Sequence, residues 1–272
     1  MKTNSLTEMA VDVLSAKNTE DKVKLSNKYA ELWLNDRKNE NKICIGNALC
    51  PDAPTRPEKP NLLPPRLMPK RKFGSEKGRI ALIHSVAHIE LNAIDLHWDI
   101  IARFSKVKFP LSFYDDWVNA AKDETKHFGL LSQLLQDRNS FYGALPAHDS
   151  MWDAAKQTDD DILGRLAVVP MVLEARGLDV TPKMIELFKN ANEQKAVEYL
   201  NIIYSEEVNH VSYGSKWFNF LCGRNNLDPK PTFHKLVRKY FHSTLKPPFN
   251  EEKRAESGLP PDFYWPLTEQ EL

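Results

Sequence analysis

Two short stretches of this 272-residue chain place a glutamate three positions before a histidine: "ETKH", Glu124 to His127, and "EVNH", Glu207 to His210. On a helix, residues three or four apart share a face. Around Glu124 and His127 that face collects Trp117, Ala120, Ala121, Leu131, Leu134 and Leu135. Around Glu207 and His210 it collects Leu200, Ile203, Gly214, Trp217 and Leu221. Both pairs therefore point at a core. Glutamate is among the residues least often buried without a partner, and an unpaired buried carboxylate is costly. With 19 Glu and 8 His in the chain, chance alone gives about 0.6 such pairs, so one would mean little. Two on inward faces mean more.

Each pair is preceded by a lone inward glutamate. Glu90 shares a face with Ile83, Val86, Ala87, Ala93 and Ile94; Glu174 shares one with Ala167, Pro170, Met171 and Leu178. Glu124 follows Glu90 by 34 residues and Glu207 follows Glu174 by 33. Glu90-x4-Asp95 is matched by Glu174-x4-Asp179. The chain reads as two helical hairpins joined by a crossover. Four helices supply Glu, Glu-x-x-His, Glu and Glu-x-x-His, the ligand set of di-iron and di-manganese carboxylate bundles. Carboxylates bridge two cations and neutralise them, and one imidazole caps each. Oxygen-rich ligation with one nitrogen per metal suits iron or manganese better than copper or structural zinc. The candidate metal ligands are Glu90, Glu124, His127, Glu174, Glu207 and His210, with no catalytic residue beyond them. A buried network of salt bridges and hydrogen bonds is the bland alternative.

Other groups weigh less. Asp95 and Asp179 are candidates to orient the ligand histidines from behind, although both fall well off the glutamate face of an ideal helix. His84, His88 and His97 read as satisfied histidines, with His97 on Glu90's face, seven residues on. Asp123 and Glu206 read as solvated. Cys44-x5-Cys50 lacks the nearby histidines of a metal site. The basic run "RLMPKRKFGSEKGR" reads as a solvated surface, or else as a patch steering an acidic substrate such as RNA.

The elements that must position these residues are helical. Residues 5–38 carry two helical patterns broken near Asn18, with Thr19 as N-cap of the second. Residues 46–69 hold seven prolines and cannot be regular helix. They read as an extended arm, with Leu62, Leu63, Leu67 and Met68 seeking burial. Four long helices are expected at about 79–105, from Ser112 to about 139, at 160–176, and at 193–222. Pro170 should kink the third, Gly177 end it, and Thr181-Pro182 start a short helix. A last helix near 232–243 precedes an irregular tail. No strand pattern of useful length is visible. The fold class is all-α: a four-helix bundle over 79–225, with N-terminal helices and the arm at 1–78 and a C-terminal extension at 226–272.

Composition narrows the function classes. Formal net charge is zero and hydrophobic residues make up 42%, so no global field draws the chain to nucleic acid or anionic lipid. Three cysteines without a CxxC pair suit a reducing compartment. No apolar run approaches the ~20 residues of a spanning helix, and the first 22 residues lack a secretory core. A cytoplasmic protein without membrane partners is expected.

The stretches "RPEKPNLLPPRLMPKR", "GRIALIHSVAHIELNAIDL", "FYDDWVNAAKDETKHF", "YGALPAHDSMWDAA", "RLAVVPMVLEARGLDVTP", "EEVNHVSYGSKWF" and "LKPPFN" resemble a ferritin-like family, mostly bacterial, known as a domain of unknown function. The resemblance runs from about Ala10 to Gly258. It implies the ferritin-like bundle and a metal site, and no established substrate. More distantly, the ligand pattern is similar to those of tRNA hydroxylases, arylamine oxygenases and rubrerythrins, whose helix carboxylates and histidines hold a di-iron centre. That likeness implies two iron ions, or manganese or a mixed Fe/Mn pair. It implies an oxidoreductase that activates O2 or peroxide to oxidise or hydroxylate a small molecule or a modified nucleoside. An electron-donor protein is implied too, since no flavin or nicotinamide fingerprint is visible. Two other readings stay open: a non-cage metal-binding protein or ferroxidase acting on iron without an organic substrate, and a fold whose metal is vestigial.

Overall fold

Ser5 opens the first helix with a capping box, its side chain accepting from the Glu8 amide while Glu8 reaches back to the Ser5 amide. That device satisfies two amides that a helix start leaves free. The computed structural model describes residues 5–39, 42–69 and 74–269, all-helical apart from loops and one isolated bridge, Leu62 to Ala147. Cα proximity divides the chain into two units, Met1–Trp152 and Asp153–Leu272. Each unit takes one helical hairpin with its own terminal extension. Part of the basic run, residues 70–73, lies outside the described residues. Among those described, no helix is long and apolar enough to cross a membrane.

In the first unit, α1 (Leu6–Leu14) and α2 (Thr19–Asn39) lie on a hairpin of α3 (Glu76–Arg103) and α4 (Leu111–Gln136). Asn18, not Thr19, caps α2, its side-chain oxygen accepting from the Asp21 amide at 2.8 Å. Ser75 caps α3, which starts earlier than expected because this cap precedes Arg79 by a full turn. α4 begins directly after Pro110 without a side-chain cap, so the expected role of Ser112 is not realised. A directed chain ties α2 to the hairpin: Trp98 Nε1 donates to Ser26, Ser26 to Thr125, and Thr125 to the Ala121 carbonyl, at 2.8, 3.0 and 2.7 Å.

The arm crosses this unit as an extended segment, but polar hooks hold it in place of the expected leucines. Leu62 is 40% and Leu67 59% exposed. The arm's holds are Thr55 N to Leu14 O, Arg103 to the Pro51 carbonyl, and the paired hydrogen bonds of Asn61 and Leu63 with Ala147. Arg56 reaches inward, donating to Asn92, Asp95 and Asp149 at 2.6, 2.9 and 2.7 Å. An arm with seven prolines cannot donate a regular ladder, so discrete side-chain hydrogen bonds replace one.

The second unit runs α6 (Ile162–Val168), a π-turn (Val169–Glu174), α7 (Ala175–Asn190), α8 (Gln194–Arg224), α9 (Pro229–Tyr240), α10 (Glu251–Glu256) and α11 (Pro261–Tyr264). The helix α5 (Ser150–Lys156) carries the division between the units. Pro170 does distort the third long helix, but as a wide π-turn rather than a break. Helix then continues through Gly177 and Pro182 to Asn190, correcting the expected stop. A proline removes one i→i−4 hydrogen bond, and a π-turn is one way a helix absorbs that loss. Gly214 of α8 receives the distorted turn: a Cβ there would stand 2.6 Å from both Cβ and Cγ of Pro170. The tail is less irregular than expected. Asn250 caps α10, and Ser257 binds back onto the Val208 carbonyl of α8 at 3.1 Å.

Candidate metal centre

In the first unit, the antiparallel hairpin brings Glu90, Glu124 and His127 together. All three are buried, at 4%, 1% and 0% exposure. His127 Nδ1 stands 3.3 Å from Glu124 Oε2 and 3.4 Å from Glu90 Oε2. One ligand atom from each of the three lies within 4.8 Å of the others. The helix period accounts for the placement: Glu124 and His127 share the face of α4 that also buries Trp117, Ala120, Ala121 and Leu131 against α3.

The same unit adds a group that spacing alone left as a core histidine. His97 is 1% exposed, its Nε2 lies 3.7 Å from Glu124 Oε1, and its ring stacks on Trp117 with centroids 5.4 Å apart. Its signal in the sequence was the seven-residue step from Glu90.

The second unit holds the matching residues. His210 Nδ1 is 3.5 Å from Glu207 Oε1, both on α8 and both buried. Glu174 closes the π-turn, and its carboxylate is buried too. The π-turn thus ends at the candidate ligand, where π-bulges are often found.

Electrostatics in the first unit suit a cation. Burial, then the charge of Glu124, hold the Glu90 carboxyl well above the usual carboxylate range, with His127 pulling partly the other way. Two buried carboxylates in contact repel unless a proton or a cation lies between them. Metal bonds to oxygen and nitrogen run about 2.0–2.2 Å, so two donors on one ion stand about 2.8–4.4 Å apart, from right-angle to opposite positions. The separations of 3.3, 3.4 and 3.5 Å fall in that range. The 3.3 Å pair, His127 Nδ1 and Glu124 Oε2, is also a hydrogen bond, so this geometry accepts either a proton or a cation.

Asp95 and Asp179 face other partners than the ligand histidines. Asp95 holds Lys22 and Arg56, and Asp179 holds Arg254, Arg176 and the Asn250 amide. Their offset from the glutamate face turns them outward, onto the chain's extensions. The charged side chains from those extensions are what sequence reasoning missed, since nothing local marks Lys22 or Arg254 as buried, or Arg56 as half-buried. The Gly143 amide donates to His84 Nε2 at 2.9 Å, and His88 is satisfied by Tyr142 and the His148 carbonyl at 2.8 and 3.1 Å. Cys50 Sγ donates to Asp99 at 3.3 Å, and Cys44 is exposed.

A protein of Haemophilus influenzae, named only as uncharacterized, is 39% identical over 208 residues, covering 75% of this chain and 72% of its own length. No solved structure matches the chain. The family model described as "Protein of unknown function (DUF455)" matches residues 15–265. With nearly all of its length inside that match, the chain belongs to the DUF455 family.

Proposed function

We propose that Glu90, Glu124, His127, Glu174, Glu207 and His210 hold two metal ions, iron first and manganese or a mixed Fe/Mn pair second. We read the protein as a ferritin-like oxidoreductase of the cytoplasm. The observation that carries this is the buried trio of Glu90, Glu124 and His127, whose donor atoms stand at ligand-sharing separations. The repeat of Glu and Glu-x-x-His in the second hairpin supports it. When bound, two ferrous ions supply electrons to O2 or peroxide and so the power to oxidise or hydroxylate an organic substrate.

The chain's own residues do the rest. Four glutamates offset the charge of the ions, so little net charge is buried. Glu124 turns one oxygen to each of two imidazoles, as a carboxylate shared by two cations would. The apolar wall of Trp117, Ala120, Ala121 and Leu131 keeps water from the ligands, which strengthens every charge interaction inside. The substrate is a small molecule or a modified nucleoside, and the electrons come from a donor protein.

The test is metal content of the chain purified without added metal, by mass spectrometry, followed by anaerobic ferrous titration. About two irons per chain, with near-ultraviolet absorbance growing when oxygen is admitted, is the expected result. Glu124→Gln and Glu207→Gln should each lose one or both ions. A chain that takes up no iron and shows no oxygen-dependent absorbance would end this reading.

A further inference from the structure

We infer that His97 is a seventh protein ligand of this centre, and that it makes the two metal positions inequivalent. The inference rests on the metal-centre reading above and adds a residue to it. His97 Nε2 faces Glu124 Oε1 at 3.7 Å, while His127 Nδ1 faces Glu124 Oε2 at 3.3 Å. The Glu124 carboxylate therefore lies between two imidazoles, one on each oxygen. A separation of 3.7 Å is too long for a hydrogen bond. It is ordinary for two donors on one ion, whose bonds of about 2.0–2.2 Å allow about 2.8–4.4 Å.

The position of the ring is built, not incidental. His97 is 1% exposed and lies two helical turns from Glu90 on the same face of α3. Trp117 stacks on it at an interplanar angle of 27°, which fixes the ring plane and aims Nε2 toward Glu124. A neutral imidazole adds no charge to the site, so it can be added without upsetting the balance of four glutamates against two cations.

The internal repeat breaks at this residue. Glu90 is matched by Glu174 and Asp95 by Asp179, yet His97 is matched by Thr181, buried at 4%. Six ligands in matched halves would give two like ions. His97 gives one of them an extra nitrogen and one fewer place for an outside ligand.

The experiment uses the full chain loaded with cobalt(II). An imidazole that binds cobalt through one nitrogen keeps an exchangeable N–H on the other, which appears in proton spectra in water as a strongly shifted line. Wild type should show three such lines, from His97, His127 and His210. His97→Gln should lose one line, keep its helical content, and bind cobalt about tenfold or more weaker, the scale seen when even an outer partner of a metal ligand is lost. His127→Gln serves as the control that must also lose one line. A His97→Gln chain that keeps every wild-type line overturns the inference and leaves the six-ligand centre standing. A wild-type chain that binds no cobalt overturns both. Zinc-loaded wild type labelled with 15N-histidine gives a readout that needs no variant to fold. Three imidazoles with metal-shifted nitrogens support the inference, and two refute it.

Discussion

Arg254 closes on Asp179 with two hydrogen bonds, Nε to Oδ1 at 2.8 Å and Nη2 to Oδ2 at 2.7 Å. Both side chains are essentially buried, at 2% and 0%. In the first unit the equivalent residue, Asp95, takes Lys22 and Arg56. Each Asp sits five residues after a candidate ligand glutamate and binds cations from its own unit's terminal extension. The extensions are thereby tied to the helices that carry Glu90 and Glu174.

The first prediction follows from that pairing. Asp179→Asn leaves the Arg254 guanidinium buried against the rings of Phe249 and Tyr264 without its counter-charge. Removing one partner of a buried pair costs about 3–5 kcal/mol, and urea unfolding should show a loss of that size. The double variant Asp179→Leu with Arg254→Met should recover part of it, since no lone charge remains. A single variant within 1 kcal/mol of wild type, on the order of a surface change, would show that water reaches the pair.

Two glycines in the second unit should respond in opposite directions. Gly214→Ala drives a Cβ to 2.6 Å from the Pro170 ring, a rigid neighbour that cannot swing aside. The π-turn must shift, at about 1–3 kcal/mol, and Glu174 at its end moves with it. Lower stability together with weaker metal binding is the expected result. Gly177 meets nothing within 4 Å and has no left-handed φ, so Gly177→Ala should stabilise the helix by about 0.5–1 kcal/mol. Thermal melts of the two variants side by side check both signs.

The contrast between these glycines also shows what was legible in the sequence. The 3.6-residue period placed Glu124 with His127 and Glu207 with His210, because a helix face depends only on spacing. Gly177 read as a stop because glycine costs a helix about 1 kcal/mol. Packing of the third long helix on α8 outweighs so small a term. The π-turn was visible only as a proline, since nothing in the sequence says whether a helix will break or widen at Pro170. Lys22, Arg56 and Arg254 stand 39 to 75 residues from the Asp95 or Asp179 they pair with, beyond any local pattern. His97 was visible by spacing, but its approach to Glu124 depends on how α3 packs on α4.

A third prediction concerns pH and stability. Burial is the main cause that lowers the His88 imidazole to about 4 from its usual 6.5, with Arg56 adding to it and the His148 carbonyl opposing. The folded state therefore holds His88 neutral where the unfolded chain would protonate it. Its contribution is complete above about 6.5 and is lost as pH falls toward about 4. A shift of that size corresponds to roughly 3 kcal/mol. Urea unfolding of wild type and His88→Gln across this window should give curves that converge at low pH. The difference between them isolates His88 from Glu90, whose raised carboxyl acts with the opposite sign. Parallel curves would mean that His88 titrates alike in both states.

The last prediction is that metal binding releases a proton from Glu90. Burial and the neighbouring Glu124 hold this carboxyl protonated above the usual carboxylate range, and a carboxylate must lose its proton to bind a cation. Metal and proton compete, so affinity should rise with pH until Glu90 is ionised in the free protein, then level off. Calorimetric titration with manganese, in buffers of different ionisation enthalpy at one pH, counts the protons released. Wild type should release more protons per chain than Glu90→Gln, whose amide has none to lose. Equal release from the two proteins would mean that the proton sits elsewhere, and the repulsion between Glu90 and Glu124 would need another source of relief.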